Sequence, residues 1–168
     1  VPVNISHLNP PKGKDMVGEL TALIESARAR GVQVTFDNTI WTRGGGPYMQ
    51  MLPDWAQEGG IAAMKARLAD PVTRRKIACQ LEEGAPNWQG WSPPNWEDAL
   101  IARTGRRQHD EWCGRTIAEL AAERDLPPAE TALMLLLEDD GQFWTAPRIK
   151  LQDDLNQMLS HPLSVPMS

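Results

Sequence analysis

The sequence predicts an α/β fold, and three observations predict it. A short run rich in Val and Ile occupies residues 1–6, and a second strand-like run, "VQVTFDN", covers 32–38. Between them lies an amphipathic stretch with its apolar residues at helical spacing. Strand, helix and strand within about 37 residues make a βαβ unit, which implies parallel strands and a right-handed crossover. The chain's 168 residues are enough for one domain with a real core, and its 17 basic against 22 acidic residues, with no long basic run, argue against nucleic acid. No apolar stretch approaches a membrane span and no signal-peptide pattern stands at residue 1, so a cytoplasmic location without membrane contact is expected. Cys79 and Cys113 are spaced like neither a metal knuckle nor a redox pair and read as free thiols.

Each element has its own signal. Val1, Val3, Ile5 and His7 share one parity, so the histidine is expected to continue an inward-facing row. Asp15 is placed to cap a helix that Gly31 would end, with Met16, Val17, Leu20, Leu23, Ile24 and Ala27 on its apolar face. In the second strand Val32, Val34 and Phe36 share a face. "TRGGGPYMQMLPDWAQEGG" is punctuated by Gly and Pro and reads as a loop. Asp70-Pro71 supplies a cap and a first-turn proline for a helix over "VTRRKIACQLEE". "NWQGWSPPNWED" reads as a loop with three tryptophans, and Thr116 with Glu119 makes a capping box ahead of "TIAELAAERD". "PPAETALMLLLEDDG" predicts a helix buried on more than one face, "KLQDDLNQMLSHP" an amphipathic helix, and "LSVPMS" a third strand. This divides the chain into a βαβ part at 1–39, a helical, Trp-rich insertion or lid at 40–147, and a helix with a final strand at 148–168. Three parallel strands do not close a barrel and would leave unpaired backbone at each edge. With no initiator Met, the expectation is a slice of something larger.

Both of the first two strands end in polar groups: Ser6, His7 and Asn9 after one, Asp37 and Asn38 after the other. The carboxyl ends of parallel strands are where α/β folds place their chemistry. On residues alone His7 is either a metal ligand or a histidine tucked into a strand end and hydrogen-bonded there; a single imidazole falls short of a three-ligand catalytic zinc set. Asp37 either orients a ligand, contacts substrate, or caps its own turn. His109, in "RTGRRQHDEW", reads as a solvated loop histidine, and no Cys113–His109 nucleophile pair is supported. His161 reads as a cationic imidazole complementing a helix C-terminus. Trp88, Trp91, Trp96 and Trp112 either cover a substrate or fill a small satellite core beneath a long insertion.

Several stretches taken together, "ISHL", "LTALIESARARGVQVTFD", "MLPDWAQEGG", "RLADPVTRRKI", "GRTIAELAAERDLPPAETALMLLLEDDG" and "LSHPLSVPMS", resemble the N-acyl-D-amino-acid deacylases (D-aminoacylases) of the amidohydrolase superfamily. The resemblance implies a metal-dependent (β/α)₈ barrel of which this chain holds strands six to eight. His7 would then be the metal-binding histidine of strand six. The catalytic Asp would follow Ser168, and the remaining zinc ligands would lie upstream, so no catalytic residue is expected within the chain and the chain alone is expected to be inactive. The implied cofactor is Zn²⁺, one or two ions. The implied partners are a small N-acylated amino acid and the rest of the chain's own barrel. Such a zinc ion lowers the pKa of its water to around 7 and polarises the amide carbonyl, while a carboxylate moves the proton to the leaving amine.

Two departures from the family pattern bear on substrate. Asn9 stands where many members have a lysine, and Thr39, Ile40 and Trp41 replace a Tyr-Pro-Tyr run whose first tyrosine lies at the substrate carbonyl. Losing that phenol would remove about a few kcal/mol of oxyanion stabilisation unless another group substitutes. Asn9, Asp37, Thr39, Trp41 and Arg43 are therefore the candidate substrate-binding positions, Arg43 toward a substrate carboxylate. The competing readings are a hydrolase of a different amide, a non-catalytic amidohydrolase-like binding protein, and a free-standing helical interaction module.

Overall fold

The structure is a computed structural model that describes residues 1–10, 16–84 and 94–167, without the side chains of 166 and 167. Asp15, Trp88, Trp91 and Ser168 lie outside the described residues. In chain order the elements are β1 (Val3–Ile5), α1 (Val17–Ala29), β2 (Val34–Thr39), β3 (Gly46–Pro47), α2 (Asp54–Gln57), α3 (Gly60–Ala69), α4 (Pro71–Glu83), β4 (Ile101–Arg103), α5 (Ile117–Arg124), α6 (Pro128–Glu138), β5 (Trp144–Thr145), α7 (Gln152–Ser160) and β6 (Ser164–Met167). Single 3₁₀ turns sit at Tyr48–Met51 and Arg107–Trp112. The chain divides into two compact units: Val1–Gly44 with Arg148–Ser168, and Gly45–Pro147. Among the described residues no helix is long and apolar enough to cross a membrane.

In the first unit three strands form a parallel sheet in the order β1-β2-β6, with α1 connecting the first two. Gly31 closes α1 as expected: its φ of 88° is left-handed, and the Gly31 and Val32 amides donate back to the carbonyls of Arg28 and Ala27. Val17 and Ile24 of α1, Val34 and Phe36 of β2 and Met158 of α7 make the apolar core of this unit. Leu23 does not join it and is exposed.

The row expected along β1 is not buried. Val3 and Ile5 pair in register with Val34 and Phe36 and so share their face of the sheet. Yet they are 49% and 38% exposed, because α1 packs over β2 and not over the edge strand. Nor does His7 extend the row, since the chain turns away at that residue with a left-handed φ of 54°. The opposite face of the sheet is polar, carrying Asn4, Thr35 and Asp37, with the Thr35 hydroxyl donating to Asn4 at 2.9 Å. Three strands in this register do not close a barrel.

The second unit is built on helices. Asp70 caps α4 by accepting from the Thr73 amide, with Pro71 at the first position. Thr116 and Glu119 complete a reciprocal capping box at the head of α5. Helix α6 is buried on more than one face, with Ala129, Thr131, Ala132, Leu133, Leu135 and Leu136 all inaccessible, as its dense apolar run requires. Each fully buried Leu contributes roughly 1.5–3 kcal/mol by leaving water. Five elements went unread in the sequence: helices α2 and α3, and the three strands of the antiparallel sheet in the order β3-β5-β4; α2 and β3 lie in the stretch expected to be a loop. The strands of that sheet are two or three residues long, too short to show a period of two.

Trp112 is buried and Trp96 packs against the core of this unit, so these two fill a core as the second reading expected, but it is the unit's main cluster and not a small satellite. The solvated reading of His109 is wrong. His109 is 9% exposed and stacks on Trp112 with centroids 4.0 Å apart, and its Nδ1 lies 3.1 Å from the fully buried Asp139. Asp139 also accepts the Gly105 and Arg106 amides at 2.7 and 3.0 Å, so the carboxylate at the end of α6 folds the 105–109 loop onto itself. The charged residues on either side of His109 hid this, because its partner lies 30 positions away.

Candidate functional site

The site is built on the carboxyl ends of β1 and β2. Its centre is the turn at residues 6–8. The Asp37 carboxylate accepts the His7 amide at 2.7 Å, the Asn4 side-chain amide at 2.6 Å and the Ser6 hydroxyl at 3.2 Å. A non-glycine residue in the left-handed region persists only when its surroundings hold it there, and for His7 the Asp37 clamp does so. The His7 amide, then the Asn4 and Ser6 side chains, hold the Asp37 carboxyl below its ordinary pKa. Asp37 is only 7% exposed and already binds three donors. It therefore faces the β1 turn, which makes it an orienting group for that turn.

The His7 side chain is exposed at this strand end, and among the described residues its ring has no hydrogen-bond partner. The tucked, hydrogen-bonded alternative does not describe it. An exposed imidazole on a fixed turn suits a metal ligand. Among the described residues, however, no group of three His, Cys, Asp or Glu side chains is gathered to hold an ion. The described residues thus offer one donor and not a set.

The other candidates are not all drawn together. Asn9 is exposed just past the turn. Thr39 ends β2, where its carbonyl and hydroxyl accept from the Lys150 ammonium at 2.9 and 2.5 Å. Trp41 lies further along, 54% exposed, and Arg43 is half-buried, its backbone bridged to that of Arg148. A cavity of about 270 Å³ lined by Thr42, Arg148, Leu151 and Gln152 contains none of the five.

Sequence reasoning missed two residues here, Asn38 and Lys150. Asn38 is fully buried; its side-chain amide donates to the Leu8 carbonyl at 2.7 Å, and its oxygen accepts from Lys150. Lys150 is 1% exposed, and burial pulls its ammonium below the ordinary lysine pKa. Asn38 had a signal, its place beside Asp37 at a strand end; a lysine just ahead of an amphipathic helix has none, and reads as solvated.

His161 sits at the C-terminus of α7, as its position predicted. There Nδ1 accepts the Leu163 amide at 3.2 Å and Nε2 lies 3.2 Å from Glu25.

No protein-family model and no curated protein matches this sequence. Solved structures do match its fold. An N-acyl-D-glutamate deacylase from Bordetella bronchiseptica, complexed with zinc and a phosphonate inhibitor, is 15% identical with a TM-score of 0.55 over 98% of this chain and 25% of that one. A D-aminoacylase mutant in complex with copper chloride is 18% identical with a TM-score of 0.54, over all of this chain and 26% of that one. A further D-aminoacylase structure, described as defining a novel subset of amidohydrolases, gives 18% identity and a TM-score of 0.51. At these identities the likeness is one of fold: along its whole length the chain follows the backbone of amidohydrolase structures, and it spans about a quarter of theirs.

Proposed function

We propose that this chain is a segment of a metal-dependent amidohydrolase that cleaves the amide of an N-acyl-(D-)amino acid or a related compound, and that His7 is one of its metal ligands. The observation that carries the reading is the β1 turn: an exposed imidazole at the carboxyl end of a parallel strand, fixed in a left-handed conformation by the Asp37 carboxylate. The fold likeness to deacylases supports it. In this reading the other ligands and the proton-transferring carboxylate come from chain outside residues 1–168, and the open edges of β1 and β6 pair with further strands. The zinc ion, when bound, supplies an activated water and polarises the carbonyl. The residues of this chain bind and orient: His7 donates to the ion, Asp37 fixes its turn, and Asn9, Thr39, Trp41 and Arg43 line the approach of the substrate.

The experiment is hydrolysis of a panel of N-acyl-D- and N-acyl-L-amino acids by the intact protein and by its His7→Ala variant. Turnover of at least one panel member, lost in the variant, is the expected result. A protein that binds zinc through His7 and hydrolyses nothing in the panel would contradict the substrate assignment. It would favour the second reading, a non-catalytic or differently specific relative, which Asn9 and the Thr39–Trp41 stretch independently suggest.

A further inference from the structure

We infer that Lys150 is a positioning residue that acts through Asn38 on the turn carrying His7. The inference rests on the reading of His7 as a metal ligand. Among the described residues no carboxylate faces Lys150: its three protons meet three uncharged oxygens, those of the Asn38 side chain, the Thr39 carbonyl and the Thr39 hydroxyl. An ammonium without a counter-ion is an unfavourable group to bury, and a methionine of similar length would fill the same space without that penalty. Packing therefore leaves the charge unexplained.

The charge determines which way Asn38 faces. With its oxygen held by the ammonium, the side-chain nitrogen must point the other way, where it donates to the Leu8 carbonyl at 2.7 Å. Leu8 directly follows His7, and its own amide donates to the Asp37 carbonyl at 3.0 Å. The turn is thus gripped on two sides, by the Asp37 carboxylate at the His7 amide and by the Asn38 amide at the Leu8 carbonyl. Lys150 is itself anchored, since its own amide and that of Ile149 both donate to the Thr42 carbonyl. A residue 112 positions from Asn38 in sequence thereby fixes the direction of the histidine.

The test uses the intact protein, with zinc affinity read by competition against a chelator and stability read separately by denaturant unfolding. Lys150→Met is expected to weaken zinc binding by about 10- to 100-fold, the range for groups that orient a metal ligand. Asn38→Asp is the discriminating variant. It keeps the acceptor for Lys150, now with a counter-charge, but removes the donor to Leu8. The inference predicts stability equal to or above that of the parent together with a zinc affinity lowered as in Lys150→Met, and faster hydrogen exchange at the Leu8 and His7 amides. If Lys150→Met does not fold, Asn38→Asp alone decides. Parental zinc affinity in Asn38→Asp, with His7→Ala losing zinc, would overturn the inference and leave the metal-ligand reading standing. Parental affinity in His7→Ala as well would overturn both.

Discussion

The two units of this chain are stabilised by different means. Among the described residues, the Gly45–Pro147 unit holds nineteen buried apolar side chains in one cluster, to which α6 contributes from more than one face. The described residues of the other unit cluster five, and its defining interactions are polar: a carboxylate, an amide and an ammonium gripping two strand ends. In the first of these, burial of apolar side chains on helices forms one contiguous core. In the three-stranded parallel slice, polar contacts instead fix the orientation of the groups at the strand ends. Within one chain, stability and site geometry are thus concentrated in different places.

The contrast is broken most severely in the helical unit. Leu135→Ala, which opens a cavity at a fully buried position, is expected to destabilise that unit by about 2–5 kcal/mol, read as a lower denaturant midpoint. A loss near zero would mean that the α6 core is looser than its burial implies. Asp139→Ala strands the Gly105 and Arg106 amides and His109. A loss of about 1–3 kcal/mol is expected, with hydrogen exchange rising in the 105–109 loop before the helices. Thr116→Ala removes the cap of α5 and is expected to lower stability by ~1 kcal/mol, measurable in the same unfolding experiment.

In the parallel slice the same kind of change acts locally. Asp37→Asn is expected to speed hydrogen exchange at the His7 amide while leaving the amides of α6 unchanged. The pH dependence has a definite sign. Because the folded-state pKa of Asp37 is depressed, its contribution is complete above the ordinary carboxylate value of about 3.9. It disappears as pH falls through the folded pKa. Protection of the His7 amide should fall in that acid window in the parent and show no such step in Asp37→Asn. A step retained in the variant would detach the clamp from Asp37.

What the sequence disclosed follows the same division. Features with local causes were legible: the Gly31 end of α1, the Asp70-Pro71 start of α4, the Thr116/Glu119 box and the dense apolar run of α6, buried on more than one face, each depend on residues within a few positions. The turn at His7 was legible as a polar strand end but not as a left-handed conformation, because the group that imposes it, Asp37, lies 30 positions away. His109 was misread, and Lys150 passed over, for the same reason. A charged or titratable side chain near a charged run reads as solvated until its distant partner is known. The exposed row of β1 failed differently: alternation predicts which residues share a face, and says nothing about whether a helix lies over that face.

The central claim is that the His7 turn presents a metal ligand, and zinc stoichiometry tests it most directly. Metal content should be measured on the intact protein and on His7→Ala after equilibration with limiting zinc and desalting. Bound zinc in the parent and its loss in the variant, with both proteins equally folded by circular dichroism, is the predicted result. Equal zinc in the two, or none in the parent, would contradict the account.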